Sequence, residues 1–515
     1  MEKYRPIIES VKANGNWFRQ GKTFCTSNSF FFLDTGTGKI FRVNENVFRV
    51  LDCLFKTNNF DNLYKIRLPK SDLEAALEEI CEAMKSESLF AAPPLSTSNI
   101  GGRHANLKEN LAEGMRSLTL ELTEQCNLRC KYCLYGDTNK DYRFFGKKEM
   151  SYDTARKAID FLMSHSKHDE KVYVGFYGGE PLLRFPLIKQ IVRYIKDTYP
   201  NRTVDYSMTT NMTLMTEEIA DFLANIEGMS VVVSMDGPEQ IHNKNRVFPD
   251  GTGSFSYALK GLRTYLKAKK QSINKDIPMM FSTVLDQPYD TTKFELMNTF
   301  FDSLREECSF SVLVSYVSST TQPERYVDIN SRPENRWNDN NNTPEMYDPL
   351  ISWTLNNLND KNFSMSYFRR GALLEIHYRR ISDKPFDSYT LNGCCVPGGR
   401  RLYVTTDGNF LPCERIGTQL PIGNVDDGFD FEHIQKNYID DFIEQEVKYC
   451  GECWAVNLCS NCYMDCFGDN HIDFSYRHKL CRNTRSRISE SLSIYHEIMD
   501  RYPEIIYDLN DIQLE

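Results

Sequence analysis

From Ser117 onward, short apolar runs alternate with amphipathic stretches six times. The runs at 117–123, 172–178, 203–210, 230–236, 279–285 and 308–317 predict strands, and the segments between them, such as 151–165 and 184–198, repeat their apolar positions at helical spacing. Strands that alternate regularly with helices pair in parallel, so the expected class is α/β. Six units over about 200 residues fall short of the eight that close a barrel. The pattern therefore predicts an open, partial (β/α)6 barrel over 117–317.

Upstream the pattern changes. Phe30-Phe31-Phe32-Leu33, Thr35-Gly36-Thr37-Gly38 and Ile40-Phe41-Arg42 read as strand, tight turn, strand. A helix is expected around 47–55 and another from Ser71, where Ser71 and Glu74 form a capping-box signature and Leu73, Leu77, Ile80 and Met84 share one face. Residues 1–95 thus read as a winged-helix-like module. Residues 96–116, with Ser96-Thr97-Ser98 and Gly101-Gly102, read as a polar linker. Residues 318–345 have almost no aliphatic content and include Asn338-Asp339-Asn340-Asn341-Asn342, which predicts a mobile loop. Helical patterns over 346–390 form a bridge to a cysteine-rich region at 391–485, and 486–515 contain the end of a helix near 484–500.

At 515 residues the chain is long enough for about three domains, on a prior of roughly 150 residues each. A formal charge of −10 disfavours non-specific nucleic-acid binding, and over 20–92 nine Lys/Arg stand against ten Asp/Glu, so the N-terminal module is not expected to bind DNA. No apolar run approaches a membrane span, and Met1-Glu2-Lys3-Tyr4-Arg5-Pro6 lacks a secretory apolar stretch. The expected address is cytoplasmic, with no membrane partner.

In a reducing cytosol the 16 cysteines are not a disulfide framework. Three fall at Cys126, Cys130 and Cys133. Nine lie between 394 and 481, and Cys25, Cys53, Cys81 and Cys308 are scattered, as ordinary buried side chains would be. Thiolates this dense bind zinc or iron–sulfur clusters. Cys126-x3-Cys130-x2-Cys133 follows the first strand directly, and three thiolates on one loop hold three irons of a cubane and leave the fourth open. A zinc site would want a fourth protein ligand, and none is adjacent.

With Tyr132 before the third cysteine, Gly178-Gly179-Glu180-Pro181 ending the second strand, Thr209-Thr210-Asn211 ending the third, and Ser234-Met235-Asp236-Gly237 followed by His242 and Arg246, this set resembles the radical S-adenosylmethionine (SAM) superfamily. The resemblance implies that Cys126, Cys130 and Cys133 hold a SAM-binding [4Fe-4S] cluster. It also implies that Tyr132 lies near the adenine, that Gly178, Gly179 and Glu180 grip the methionine amino group, and that Thr210, Ser234 and Arg246 contact SAM. Met212 stands where the family usually has glycine.

Cys395-x12-Gly408-x4-Cys413, then Cys450-x2-Cys453-x5-Cys459-x2-Cys462-x3-Cys466 and Cys481, resembles the SPASM extension of peptide-modifying radical SAM enzymes. That resemblance implies two auxiliary [4Fe-4S] clusters. One would use Cys450, Cys453, Cys459 and Cys481; the other Cys413, Cys394 and/or Cys395, and Cys462 or Cys466. The eight positions these clusters need leave one clustered cysteine over. An apparent hairpin at 402–412 would present Cys413, and Glu414 stands where related sulfatase maturases carry a general base.

The N-terminal module resembles a precursor-peptide recognition element, which takes a leader peptide as an added strand. Together the resemblances imply a maturase that uses a 5′-deoxyadenosyl radical to cross-link a ribosomally made precursor peptide, a thioether being first choice. Carbon–carbon cross-linking, epimerisation and sulfatase maturation remain alternatives, as does a non-catalytic iron–sulfur or zinc scaffold. A flavodoxin- or ferredoxin-type electron donor is the second expected partner.

Overall fold

A computed structural model describes residues 1–100, 106–136, 145–167, 170–287, 290–317, 349–358, 362–368, 372–390, 394–399, 401–417, 420–466 and 474–511. The loop expected at 318–345 lies outside these.

Six parallel strands form the centre: β4 (Ser117–Thr123), β5 (Val172–Gly178), β6 (Val204–Thr210), β7 (Met229–Ser234), β8 (Met279–Leu285) and β9 (Phe310–Tyr316), paired in chain order. The partial barrel is therefore as the alternation predicts. Helices cover the outer face. Tyr152–Ser164 is capped by Ser151, whose hydroxyl accepts from the Thr154 amide, and buries Ala155, Ala158, Ile159 and Leu162. Leu118, Leu120 and Leu122 of β4 are buried in the same core. Glu121, on the opposite side of the strand, is also buried and accepts from the Tyr135 hydroxyl at 2.9 Å.

The sheet does not stop at β4. A hairpin of β10 (Leu402–Val404) and β11 (Asn409–Leu411) joins it, because β10 pairs in parallel with β4, and short β12 (Gly423–Asn424) and β13 (Gly428–Phe429) complete ten strands. The hairpin is the expected one. Its pairing to a strand nearly three hundred residues upstream has no local signal in the sequence. Thr406 seals the junction, its amide donating to Glu121.

The N-terminal sheet has three strands in the order β1 (Gly21–Cys25), β2 (Phe30–Asp34), β3 (Ile40–Val43). β1 was not expected, since Gly-Lys-Thr-Phe-Cys has no strand alternation. It is buried throughout, and the C-terminal helix Phe474–Arg501 packs over it. Phe24, Phe31 and Leu33 share a core with Ile488, Leu492, Ile494 and Ile498 of that helix. The other face of the sheet packs with the helices Glu45–Thr57 and Lys70–Ser86 in a separate core.

Three local expectations are corrected. The second of these helices starts at Lys70 without a side-chain cap, so the box at Ser71 does not form; Glu74 instead takes the Met1 ammonium at 2.7 Å. The expected linker contains a helix, Leu107–Ala112, whose Leu107 and Leu111 enter the barrel core. The C-terminal helix begins ten residues before 484, because its first turns present Arg477, Cys481 and Arg485 inward and so show no apolar stripe. Of the scattered cysteines, Cys25 and Cys81 are buried, while Cys53 and Cys308 are half-buried.

Candidate functional site: a cysteine-lined cavity at the C-terminal strand ends

The loop after β4 carries Cys126, Cys130 and Cys133 into a cavity of about 550 Å³ at the strands' C-terminal ends. Backbone bonds anchor this loop, from the Arg129 amide to the Val247 carbonyl at 2.7 Å and from Lys131 to Asn245 at 3.0 Å. On the other side it rests against the end of β5. The Gly179 amide donates to Thr123 and the Glu180 amide to Gln125. A Cβ on Gly178 would meet the Thr123 carbonyl at 2.4 Å, and one on Gly179 the Gln125 carbonyl at 2.1 Å. The two glycines are thus required by the cysteine loop itself, in addition to lining the cavity.

Glu180 is buried on the cavity wall. It accepts from the Thr210 hydroxyl at 2.7 Å and the Asn211 amide at 2.9 Å. Burial raises its carboxyl above the ordinary range, and these bonds oppose the rise. Thr210 therefore corrects its expected role. Side chains alternate along β6, so Thr209 and Asn211 line the cavity and Thr210 braces Glu180 from behind. Met212, at φ +64°, keeps the left-handed turn that a glycine would ease, with its side chain fully buried.

Ser234 and Tyr132 both line the cavity. The Tyr132 hydroxyl donates to Asp236, whose second oxygen accepts from the Val284 amide at 3.0 Å. Arg246 also lines the cavity, but its Nε lies 3.0 Å from Asp236. The buried Asp236 thus holds the Arg246 guanidinium in place on the cavity wall. Asp236 was visible in the sequence motif and its organising position was not. Behind it, burial lowers His242 to about 4, so this ring is neutral, bonded to Ser254.

Glu414 follows β11 and lines the same cavity. Arg401 donates to both its oxygens at 3.0 and 3.1 Å. Burial would raise this carboxyl, yet the Arg401 charge holds it below the ordinary range. Sequence reading missed Arg401, and also Tyr177, Tyr316, Tyr367 and Arg415 on the cavity wall, because they come from five separate segments.

A second, small cavity of about 20 Å³ is lined by Cys450, Cys453, Cys459 and Cys481 together with Arg477 and Arg485. Cys413, Cys395 and Cys462 form a third group whose thiols act on one another electrostatically, with Cys394 and Cys466 next to Cys462. Burial pushes the Cys126, Cys130, Cys413 and Cys453 thiols up to about 12, so a bound cationic centre is needed to hold them as thiolates. Among the described residues no three His, Cys, Asp or Glu converge on a point that would hold a single metal ion. The three cysteines of the large cavity and the four of the small one are a donor set suited to clusters.

Six parallel strands with three loop cysteines over the strand ends are the arrangement the sequence motifs lead one to expect. Residues 120–294 match the Radical SAM superfamily, so the chain carries a radical SAM domain, and it is an enzyme. It is 38% identical over 152 residues to MJ0907 of Methanocaldococcus jannaschii, covering 30% of this chain and about half (49%) of that protein. It is 24% identical over 365 residues to a cysteine-type anaerobic sulfatase-maturating enzyme of Clostridium novyi, covering 67% of this chain and 87% of the relative. The solved structure of native anSMEcpe with bound AdoMet matches with a TM-score of 0.51 at 22% identity, over 77% of this chain and 100% of that one, a likeness of fold. Among the described residues no helix is long and apolar enough to cross a membrane.

Proposed function

We propose that the chain is a SPASM-type maturase that modifies a ribosomally made precursor peptide and closes a cross-link within it, a thioether in first place. The observation that carries this reading is that one cavity is lined both by Cys126, Cys130, Cys133 and Glu180 and by Glu414, Arg415, Tyr316 and Tyr367. When bound, a [4Fe-4S] cluster and SAM would supply a 5′-deoxyadenosyl radical. Cys126, Cys130 and Cys133 would hold the cluster, Glu180 the methionine ammonium, and the ring of Tyr132 with Ser234 the nucleoside. The aromatic walls exclude water from the reacting carbon. Glu414, ionised beside Arg401, is placed to accept a substrate proton.

Two auxiliary [4Fe-4S] clusters complete the proposal. Cys450, Cys453, Cys459 and Cys481 hold one. Cys395, Cys413 and Cys462, with Cys394 or Cys466, hold the other, and a small electron donor of flavodoxin or ferredoxin type feeds the system in the cytoplasm. The leader peptide adds to β3, an edge strand that among the described residues pairs with β2 and is largely half-exposed, whereas β1 is buried throughout.

Co-expression with a short cysteine-containing peptide encoded nearby tests the reading by mass. A loss of two hydrogens is expected. Unchanged mass with inverted stereochemistry contradicts the cross-link. The sulfatase-maturating relative, most of whose length is matched, supports a second reading in which a sulfatase is modified in place of the peptide.

A further inference from the structure

Arg477 is in the first turn of the helix Phe474–Arg501, where a positive charge opposes the helix dipole. It is only 1% exposed. Its guanidinium carbon lies 5.2 Å from the Phe442 ring centre and 4.5 Å from that of Phe474. Nη2 reaches Cys459 Sγ at 3.9 Å, while Nε and Nη1 have no hydrogen-bond partner among the described residues. A cation so buried, with two donors unspent, needs an anion of matching size. Arg477 shares the small cavity with Cys450 and Cys459, and the charges that act on it most strongly are those of Cys450, Cys466 and Cys459, ahead of Glu446. Cys450 and Cys459 belong to one cysteine group, and Cys466 adjoins the other.

The spacing Arg477-x3-Cys481-x3-Arg485 places two arginines and a ligand cysteine on one helical face toward the small cavity. A cubane with four thiolates is a dianion when oxidised and gains a further negative charge on reduction. Buried guanidinium groups with N–H donors toward sulfur stabilise the more negative form.

We propose that Arg477 is a redox-tuning residue set between the two auxiliary clusters, holding the cluster of Cys450, Cys453, Cys459 and Cys481 at a raised reduction potential. The inference rests on the two-cluster reading above. It adds a direction to electron flow, because the cluster with the cationic wall becomes the preferred electron acceptor.

The test is an electron paramagnetic resonance redox titration of the anaerobically reconstituted full chain with dithionite, alongside iron analysis, for wild type, Arg477→Gln and Arg477→Lys. Wild type is expected to carry about twelve irons, by the stoichiometry of three cubanes. In Arg477→Gln, with the same iron, one auxiliary midpoint falls by a tenfold or greater change in its reduction equilibrium, about 59 mV for one electron. Arg477→Lys keeps most of the wild-type value. Equal midpoints in all three overturn the proposal. If Arg477→Gln loses C-terminal iron, retention by Arg477→Lys supports the need for charge, and equal loss in both overturns it. Wild type with about four irons refutes the auxiliary-cluster reading itself, a result distinct from all of these.

Discussion

Around Cys126, Cys130 and Cys133 the fold leaves about 550 Å³ and lines it with glycine backbone, tyrosines and polar side chains drawn from many segments. Around Cys450, Cys453, Cys459 and Cys481 it leaves about 20 Å³ and closes the space with two buried arginines. The first region also spends its buried arginine differently. Arg246 is paired internally with Asp236, whereas Arg477 faces thiols. The contrast separates a roomy site drawn from many segments from a small closed pocket, although both are built on cysteine.

Removing the internal pairing gives the largest expected effect on this contrast. Asp236→Asn deprives Arg246 and Tyr132 of their common acceptor, and SAM affinity should fall between tenfold and a hundredfold, about 1.4–2.8 kcal/mol. Arg485→Gln, the matching change in the closed pocket, should leave SAM affinity unaltered. Equilibrium SAM binding to both variants checks this, and equal losses would erase the distinction.

Acid acts behind the open cavity and, away from both cysteine pockets, under the N-terminal sheet. Burial lowers both His242, behind the open cavity, and His496, under the N-terminal sheet, from 6.5 to about 4. Between these values the unfolded chain binds a proton that the folded chain refuses, so stability is full above pH 6.5 and is lost as pH falls toward 4. Each ring accounts for up to about 3 kcal/mol. Denaturant titrations across this range should lose one proton of linkage in His242→Gln and one in His496→Gln. A slope that responds to only one variant would mean that the regions unfold independently.

The smallest effect is expected at Met212. Met212→Gly relieves about 1 kcal/mol of left-handed strain but removes a fully buried side chain at a cost of about 2 kcal/mol or more. A modest fall in melting temperature is expected, and a rise would show that the turn, not the packing, dominates.

Much of this was legible in the sequence wherever the signal is local. The six barrel strands match to within two residues at each end because each is a short apolar run bounded by turn residues. The three cysteine motifs likewise fix their own loops. What escaped depends on distance or on inverted polarity. β1 carries Lys22 and Thr23 into a buried sheet, and β10 finds β4 only in three dimensions. Thr210 was assigned to the cavity because a motif does not show which way each side chain points. The pairing of Arg246 with Asp236, ten residues away, escaped because that aspartate reads equally well as turn or acid. The first turns of the C-terminal helix were obscured because its inward face is made of arginine and cysteine.

The most direct measurement is 5′-deoxyadenosine formation from SAM under dithionite, compared between the wild-type chain and the Cys126→Ala, Cys130→Ala, Cys133→Ala triple variant, with iron counted in both. Wild type should form deoxyadenosine. The triple variant should form none while keeping about eight irons at its C-terminal thiols. Retained deoxyadenosine formation in the variant, or none in wild type, would contradict the account.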